Sequence, residues 1–176
     1  MLTGRHSGFS LMELLMTLAL ASTVLMLGVP SFAGLIADQR MRAEADTLFH
    51  AVHLARKLSI VRRRVITLCA SHDGETCSNN RDWSAGWIMF EDHAGTGQGL
   101  REAGETLLQR HQPTGGVRLQ ANRTAFSLRS TFKRATNGTI RICPAGDRGR
   151  SRALVISYTG RPRVAYETSR GLPYRC

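Results

Sequence analysis

From Phe9 to Ile36 the chain is apolar almost without interruption, and Glu13 is the one charged residue in that run. At about 1.5 Å per residue a helix over this stretch spans roughly 40 Å, enough to cross a bilayer. Beyond it the pattern becomes periodic. Ala45, Leu48, Phe49, Val52, Ala55, Leu58 and Val61 recur at spacings of three and four, which predicts a helix reaching about Arg64 with one face on a core. Arg40, Arg42, Arg56 and Lys57 fall on the other face. The triplet Arg62-Arg63-Arg64 suits a helix C-terminus, where exposed carbonyls are partly negative. From Val65 the apolar runs become short and β-prone: Val65–Cys69, Gly86–Phe90, Thr106–Arg110, Val117–Gln120, Ala125–Leu128, Thr139–Cys143, Ala153–Tyr158 and Arg163–Glu167. Asp73-Gly74, Gly115-Gly116, Asn137-Gly138 and Thr159-Gly160 punctuate them.

Many short strands beside one helix predict an α+β fold, a long N-terminal α-helix packed on an antiparallel β-sandwich. The chain of 176 residues shows no repeat, long linker or low-complexity tract. It reads as a membrane-length segment over 9–36 and one modest globular domain over 37–176.

The charge is +11, and nearly all of the excess is arginine, since Lys57 and Lys133 are the only lysines. Guanidinium forks fit phosphate oxygens bidentately, so nucleic acid and anionic lipid are the partners this bias suits, against a plain solvated surface. Cys69, Cys77, Cys143 and Cys176 make an even set beyond a membrane segment, which suggests two disulfides in an oxidising compartment. Three pairings are open; local closure favours Cys69–Cys77, leaving Cys143–Cys176. Zinc is the rival, but Cys69, His72 and Cys77 lack the usual ligand spacing. No metal or cofactor is expected.

A carboxylate inside a membrane-length helix costs about 2.5–3.5 kcal/mol on insertion scales, so Glu13 calls for a role. A plain anchor with an idle interfacial glutamate is one reading. A signal peptide cut near Ala19-Leu20-Ala21 is another, opposed by the apolar run through Val24, Leu25, Met26 and Leu27. The stretch Gly8-Phe9-Ser10-Leu11-Met12-Glu13 resembles the processing site of type IV prepilins and type II secretion pseudopilins. That resemblance implies a leader over 1–8, cleavage after Gly8 by a prepilin peptidase, and methylation of Phe9 as the new N-terminus. It implies that Glu13 neutralises the buried terminal amine of a neighbouring pilin in the filament. Pro30 falls where many pilins carry a helix-loosening proline. Ser7 departs from the pattern, standing where the family usually has Lys or Arg; Arg5 is the nearby positive charge.

Further along, Ala55-Arg56-Lys57-Leu58, Val65-Ile66-Thr67-Leu68-Cys69 and Asp82-Trp83-Ser84-Ala85-Gly86-Trp87-Ile88-Met89-Phe90-Glu91-Asp92 are similar to the GspH/FimT group of minor pilins and pseudopilins. The resemblance implies an inner-membrane anchor, a periplasmic globular domain, and later a place in a pilus at the cell surface. Gly160-Arg161-Pro162-Arg163 resembles the Gly-Arg-x-Arg element that the FimT-like branch associates with DNA binding in natural transformation. Gly160, Arg161 and Arg163 are therefore expected to bind DNA, sequence-independently and through phosphates.

Two more arginine sets extend this expectation. Arg148, Arg150 and Arg152 alternate in a loop between strands, and Arg170 and Arg175 lie in the C-terminal tail. An up-and-down meander of the last three strands would put the Gly160 turn and the Arg148–Arg152 loop at opposite ends of the middle strand. It would also bring the tail back to Cys143. The footprint is then read as extended, with the Gly160 turn alone as the alternative. Tyr158, Tyr166 and Tyr174 could stack bases, but Tyr158 and Tyr166 fall in expected strands and read as packing residues. Trp83 and Trp87 read as core. The loop from Glu91 to Gly99 lacks the carboxylates of a calcium loop and the Gly-Lys-Ser/Thr of a phosphate loop, and reads as a flexible connection. His50, His53, His72, His93 and His111 lie in no nucleophile-elbow context, so an enzyme is not expected. The rival function is a structural subunit that primes pilus assembly, or a secretion pseudopilin, without DNA binding.

Overall fold

In the computed structural model, which describes residues 8–93, 99–113, 115–130, 134–146 and 150–176, Ser10 opens helix α1 (Leu11–Arg62). Its hydroxyl accepts the Glu13 N–H at 3.2 Å. Ser10 and Glu13 have the Ser-x-x-Glu spacing of a capping box, and an acid in the first turn faces the positive end of the helix dipole. Pro30 lies within α1. The leader reading over 1–8 falls, but for Gly8, outside the described residues.

The chain divides into two compact units, Met1–Ile36 and Ala37–Cys176. In the first unit the apolar side chains from Phe9 to Leu27 stand exposed, and the segment is long and apolar enough to cross a membrane. In the second, α1 ends one turn's fraction earlier than the arginine triplet suggested. Arg62 is its last residue and Arg63 turns left-handed at φ 53°. Arg62 and Arg64 then reach Glu91 at 3.0 and 3.8 Å, so the triplet has a tertiary partner besides the helix carbonyls.

Eight strands follow: β1 (Val65–Ala70), β2 (Trp87–Asp92), β3 (Leu107–His111), β4 (Val117–Ala121), β5 (Ala125–Leu128), β6 (Gly138–Pro144), β7 (Arg152–Ile156) and β8 (Pro162–Ala165). They form two four-stranded sheets, ordered β3-β2-β1-β5 and β4-β6-β7-β8. Every pairing is antiparallel. Alternation decides which residues face inward. Ile66, Leu68, Ala70, Trp87, Met89, Phe126 and Leu128 of the first sheet meet Leu119, Ile140, Ile142, Leu154 and Ile156 of the second. Both pack on Met41, Ala45, Leu48, Ala51, Val52 and Ala55 of α1.

The helix face matches its expected residues except at the end, where Val61 is 71% exposed while Met41 and Ala51 are buried. Val61 lies in the last turn of α1. Trp83 and Trp87 are fully buried core residues. Glu44 is buried as well, its carboxylate held by His111 Nε2 at 3.0 Å, and the His111 ring leans on Trp87.

The two disulfides are Cys69–Cys77 and Cys143–Cys176. The first anchors a loop over a smaller cluster of Cys69, Ile88 and Phe90 on the other side of the first sheet. Within that loop Asp73 caps its own turn: the Thr76 hydroxyl and the N–H groups of Thr76 and Glu75 donate to it. Those bonds hold its carboxyl well below the usual carboxylate range. The second disulfide draws the tail across the outer face of the second sheet, where Arg141 Nη1 donates to the Arg175 carbonyl at 3.0 Å. Ala153 and Ala165, paired in register on that face, are small and buried. Among the described residues no group of three His, Cys, Asp or Glu side chains could hold a metal ion. Residues 94–98 of the Glu91–Gly99 loop lie outside the described residues.

Candidate nucleic-acid interface

β6, β7 and β8 form the meander that the turn pattern suggested. Its consequence is that the two arginine regions lie at opposite ends of β7, on the order of 15 Å apart for a five-residue strand.

The β7–β8 turn closes on Gly160, whose N–H donates to the Ser157 carbonyl at 2.8 Å, while the Ser157 N–H returns to the Arg161 carbonyl at 3.1 Å. The Arg161 N–H also donates to the Ser157 hydroxyl. Gly160 is buried at φ +74°. A Cβ there would sit 2.9 Å from Leu128 Cδ1 and 3.0 Å from Arg56 Nη1. Both the left-handed backbone and the lack of space require glycine. Gly160 therefore positions the turn and presents no group to a ligand.

Past it, Arg161 and Arg163 are exposed on either side of buried Pro162. Alternation puts these two on the same face of β8, and proline stiffens the backbone between them.

Two further arginines close in on this turn. Arg56 reaches it from α1. Arg134 lies with its guanidinium carbon 5.8 Å above the Tyr158 ring, and the neighbouring Ala135 N–H donates to the Tyr158 carbonyl at 2.9 Å. Arg129 follows Leu128 directly, but alternation sends it to the face of Ser127 and Thr67, away from this turn, and its Nε is buried without a hydrogen-bond partner among the described residues. Among the described residues, none of Arg56, Arg134, Arg161 or Arg163 has a carboxylate within ion-pair distance. Sequence reasoning missed Arg134 and assigned Arg56 only to a solvated helix face. The two are some thirty and more than a hundred positions from Arg161, and no local pattern joins them.

The other end of β7 is different. Arg148 lies outside the described residues. Arg150, Arg170 and Arg175 are exposed. Arg152, expected in the same loop, is instead the first residue of β7 and only 2% exposed. It shares the inward face with Leu154 and Ile156, so alternation turns its side chain toward α1. There Nη2 meets Asp38 Oδ1 at 2.6 Å and Nη1 donates to the Asp38 carbonyl at 3.2 Å. Asp38 also pairs with Arg42 at 3.0 Å. Arg152 is therefore withdrawn from the surface set and serves packing. A cleft lined by Asp38, Arg42, Arg150, Arg152 and Tyr166, and its neighbour bordered by Glu167, mix both signs of charge.

The histidines considered for catalysis do not converge. His72 bonds Asn80, His50 and His53 lie edge-on to Phe49, and His93 stands near Glu91. Gly8, Phe9 and Glu13 are exposed in the first unit.

A family model described as "Type II transport protein GspH" matches residues 44–160, more than half of the chain. A search of curated protein sequences found no match. Among solved structures, the type IV minor pilin FimU of Pseudomonas aeruginosa (strain PAO1) is similar in two crystal forms. One is 21% identical with a TM-score of 0.55, covering 78% of this chain and 96% of that one. The other is 21% identical with a TM-score of 0.52, covering 70% and 91%. The minor pseudopilin EpsH from the Type 2 Secretion System of Vibrio cholerae is 13% identical with a TM-score of 0.51, covering 72% and 96%. At these identities the structures speak for the shared fold, a long N-terminal helix packed on two antiparallel sheets. The family match, spanning the second half of α1 and the strands up to the Gly160 turn, goes further: the chain belongs to the GspH family, a minor pilin or pseudopilin of a type IV pilus or type II secretion machine.

Proposed function

We propose that this minor pilin binds DNA without regard to sequence through the arginines of the Gly160 turn, and so serves DNA uptake in natural transformation. The observation that carries the reading is the uncompensated charge. Four arginines gather at one turn with no carboxylate among the described residues to neutralise them, whereas Arg42, Arg62, Arg64 and Arg152 are paired with Asp38 or Glu91. Such a cluster recruits a polyanion and gains from counterion release. Arg161 and Arg163 make the principal phosphate contacts; Arg150, Arg170 and Arg175 add charge at the far end of the same sheet. Cleavage after Gly8 by a prepilin peptidase and methylation of Phe9 precede assembly. The segment over 9–36 anchors the subunit in the inner membrane with 37–176 on the periplasmic side, and Glu13 then meets the terminal amine of a neighbouring pilin in the filament.

The test is a salt-titrated gel shift of the full chain in a neutral detergent on duplexes of unrelated sequence. Retardation is expected on all of them. Arg161→Ala with Arg163→Ala should abolish it near physiological salt and flatten the log–log salt slope by about 1.8, two phosphates' worth. Absence of retardation at low salt would overturn the reading. It would favour a structural subunit without DNA binding, the alternative for which the fold shared with a secretion pseudopilin speaks.

A further inference from the structure

We infer that Tyr158 is a stacking platform for an unpaired base, which makes the Gly160 turn a site for single-stranded DNA and frayed ends as well as for duplex phosphates. This rests on the nucleic-acid reading above and adds a ligand preference to it.

A tyrosine within a strand of a sandwich packs or points away; this one does neither. β7 stops at Ile156, two residues before Tyr158, and Tyr158 becomes the first central residue of the turn closed by Gly160. Its backbone is held, since its carbonyl accepts the Ala135 N–H at 2.9 Å. Its side chain is 61% exposed. The Arg134 guanidinium lies toward the ring at 5.8 Å from its centroid. A cation on one face of an aromatic ring fixes the ring's orientation by cation–π attraction and leaves the opposite face to solvent. An open aromatic face beside phosphate-binding arginines is the arrangement that holds single strands: charge follows the backbone and the ring takes a base. Duplex bases are already stacked on each other and cannot reach such a ring, so duplex binding uses the arginines alone.

Tyr166 supplies the contrast within the same chain. It is 53% exposed with Arg152 at 5.5 Å from its ring. That arginine is bound to Asp38, and Glu167 follows in sequence. The cation beside that ring is already compensated, so an exposed ring alone does not make the platform. Tyr158 has the ring and the uncompensated cations together.

The experiment is a fluorescence-anisotropy titration of the full chain in neutral detergent at fixed salt. The probes are a labelled oligothymidylate, a strand of equal length and charge with abasic sites in place of bases, and a duplex of the same length. Tyr158→Ala should weaken the oligothymidylate about 5- to 150-fold, the range set by loss of one base–aromatic stack, and leave the duplex unchanged. Tyr158→Phe, which keeps the ring, should retain wild-type binding. The wild type should bind the abasic strand more weakly than the oligothymidylate, and Tyr158→Ala should not distinguish the two. Equal binding of both strands by the wild type would overturn the platform, as would a Tyr158→Ala loss shared by the duplex, or no loss at all. If Arg161→Ala with Arg163→Ala still removes binding in that case, the phosphate-binding function stands and the platform alone falls. Binding to none of the three probes at low salt overturns both.

Discussion

Arg152 offers the sharpest separation of a buried structural charge from a surface arginine. Its side chain is 3% exposed against 23% for Asp38, and the two meet at 2.6 Å. Asp38→Ala would leave a guanidinium inside the fold with no carboxylate, held by the backbone carbonyl of residue 38 and the Tyr166 ring alone. Breaking a buried pair from one side costs about 3–5 kcal/mol. Because Asp38 is partly exposed, the expected loss is near the low end, about 3 kcal/mol, which in a domain of this size lowers Tm by about 6–12 °C. Arg152→Met removes the charge but keeps most of the volume, and Asp38 still has Arg42 at 3.0 Å. Its expected loss is below about 1.5 kcal/mol. The double variant should lose less than the sum of the two single losses, by a coupling of about 2 kcal/mol. Unfolding of the full chain in detergent, followed by fluorescence of the buried Trp83 and Trp87, measures all three. DNA retardation by Arg152→Met should equal that of the wild type. Additive losses, or a well-folded Arg152→Met that no longer binds DNA, would refute the assignment.

Gly160→Ala should destabilise by about 1–3 kcal/mol, from left-handed backbone strain and the close approach to Leu128, measured by the same melt; an unchanged melt would contradict the turn. Asp73 has a lowered folded pKa, so its contribution is fully present above its ordinary value of 3.8 and is lost as pH falls through the folded value. The stability gap between wild type and Asp73→Asn should accordingly be constant above about pH 4 and narrow below it, read from urea midpoints across pH. A gap that is flat into strong acid would refute the capping role. Glu13→Ala should leave DNA binding of the detergent-solubilised chain intact but reduce its recovery in sheared pili; undiminished recovery would refute the filament role.

Local pattern was sufficient for the helix and, through β-prone runs between turn residues, for the existence of eight strands, because each depends on which neighbours a side chain meets within one turn or one pleat; the spacing of Trp83 and Trp87 around Gly86 pointed to their burial. The local Cys69–Cys77 closure was readable for the same reason. Even Arg152 carried a legible signal, since it falls in step with Leu154 and Ile156; reading it with Arg148 and Arg150 as loop residues misplaced the strand boundary by one position and its side chain by a whole face. Tyr158 was misplaced by the opposite error, a strand drawn two residues too long. Tertiary structure alone decided which arginines share a neighbourhood. Arg56, Arg134 and Arg161 come from a helix, a connection and a turn, and they meet because the β7–β8 turn folds back against α1 and the connection before β6. It also decided which cations remain free, since Asp38 and Glu91 neutralise arginines distant in sequence from themselves. Charge acts through space over several ångströms regardless of chain position, so a sequence can state how much of it a protein carries, and only the folded chain can place it.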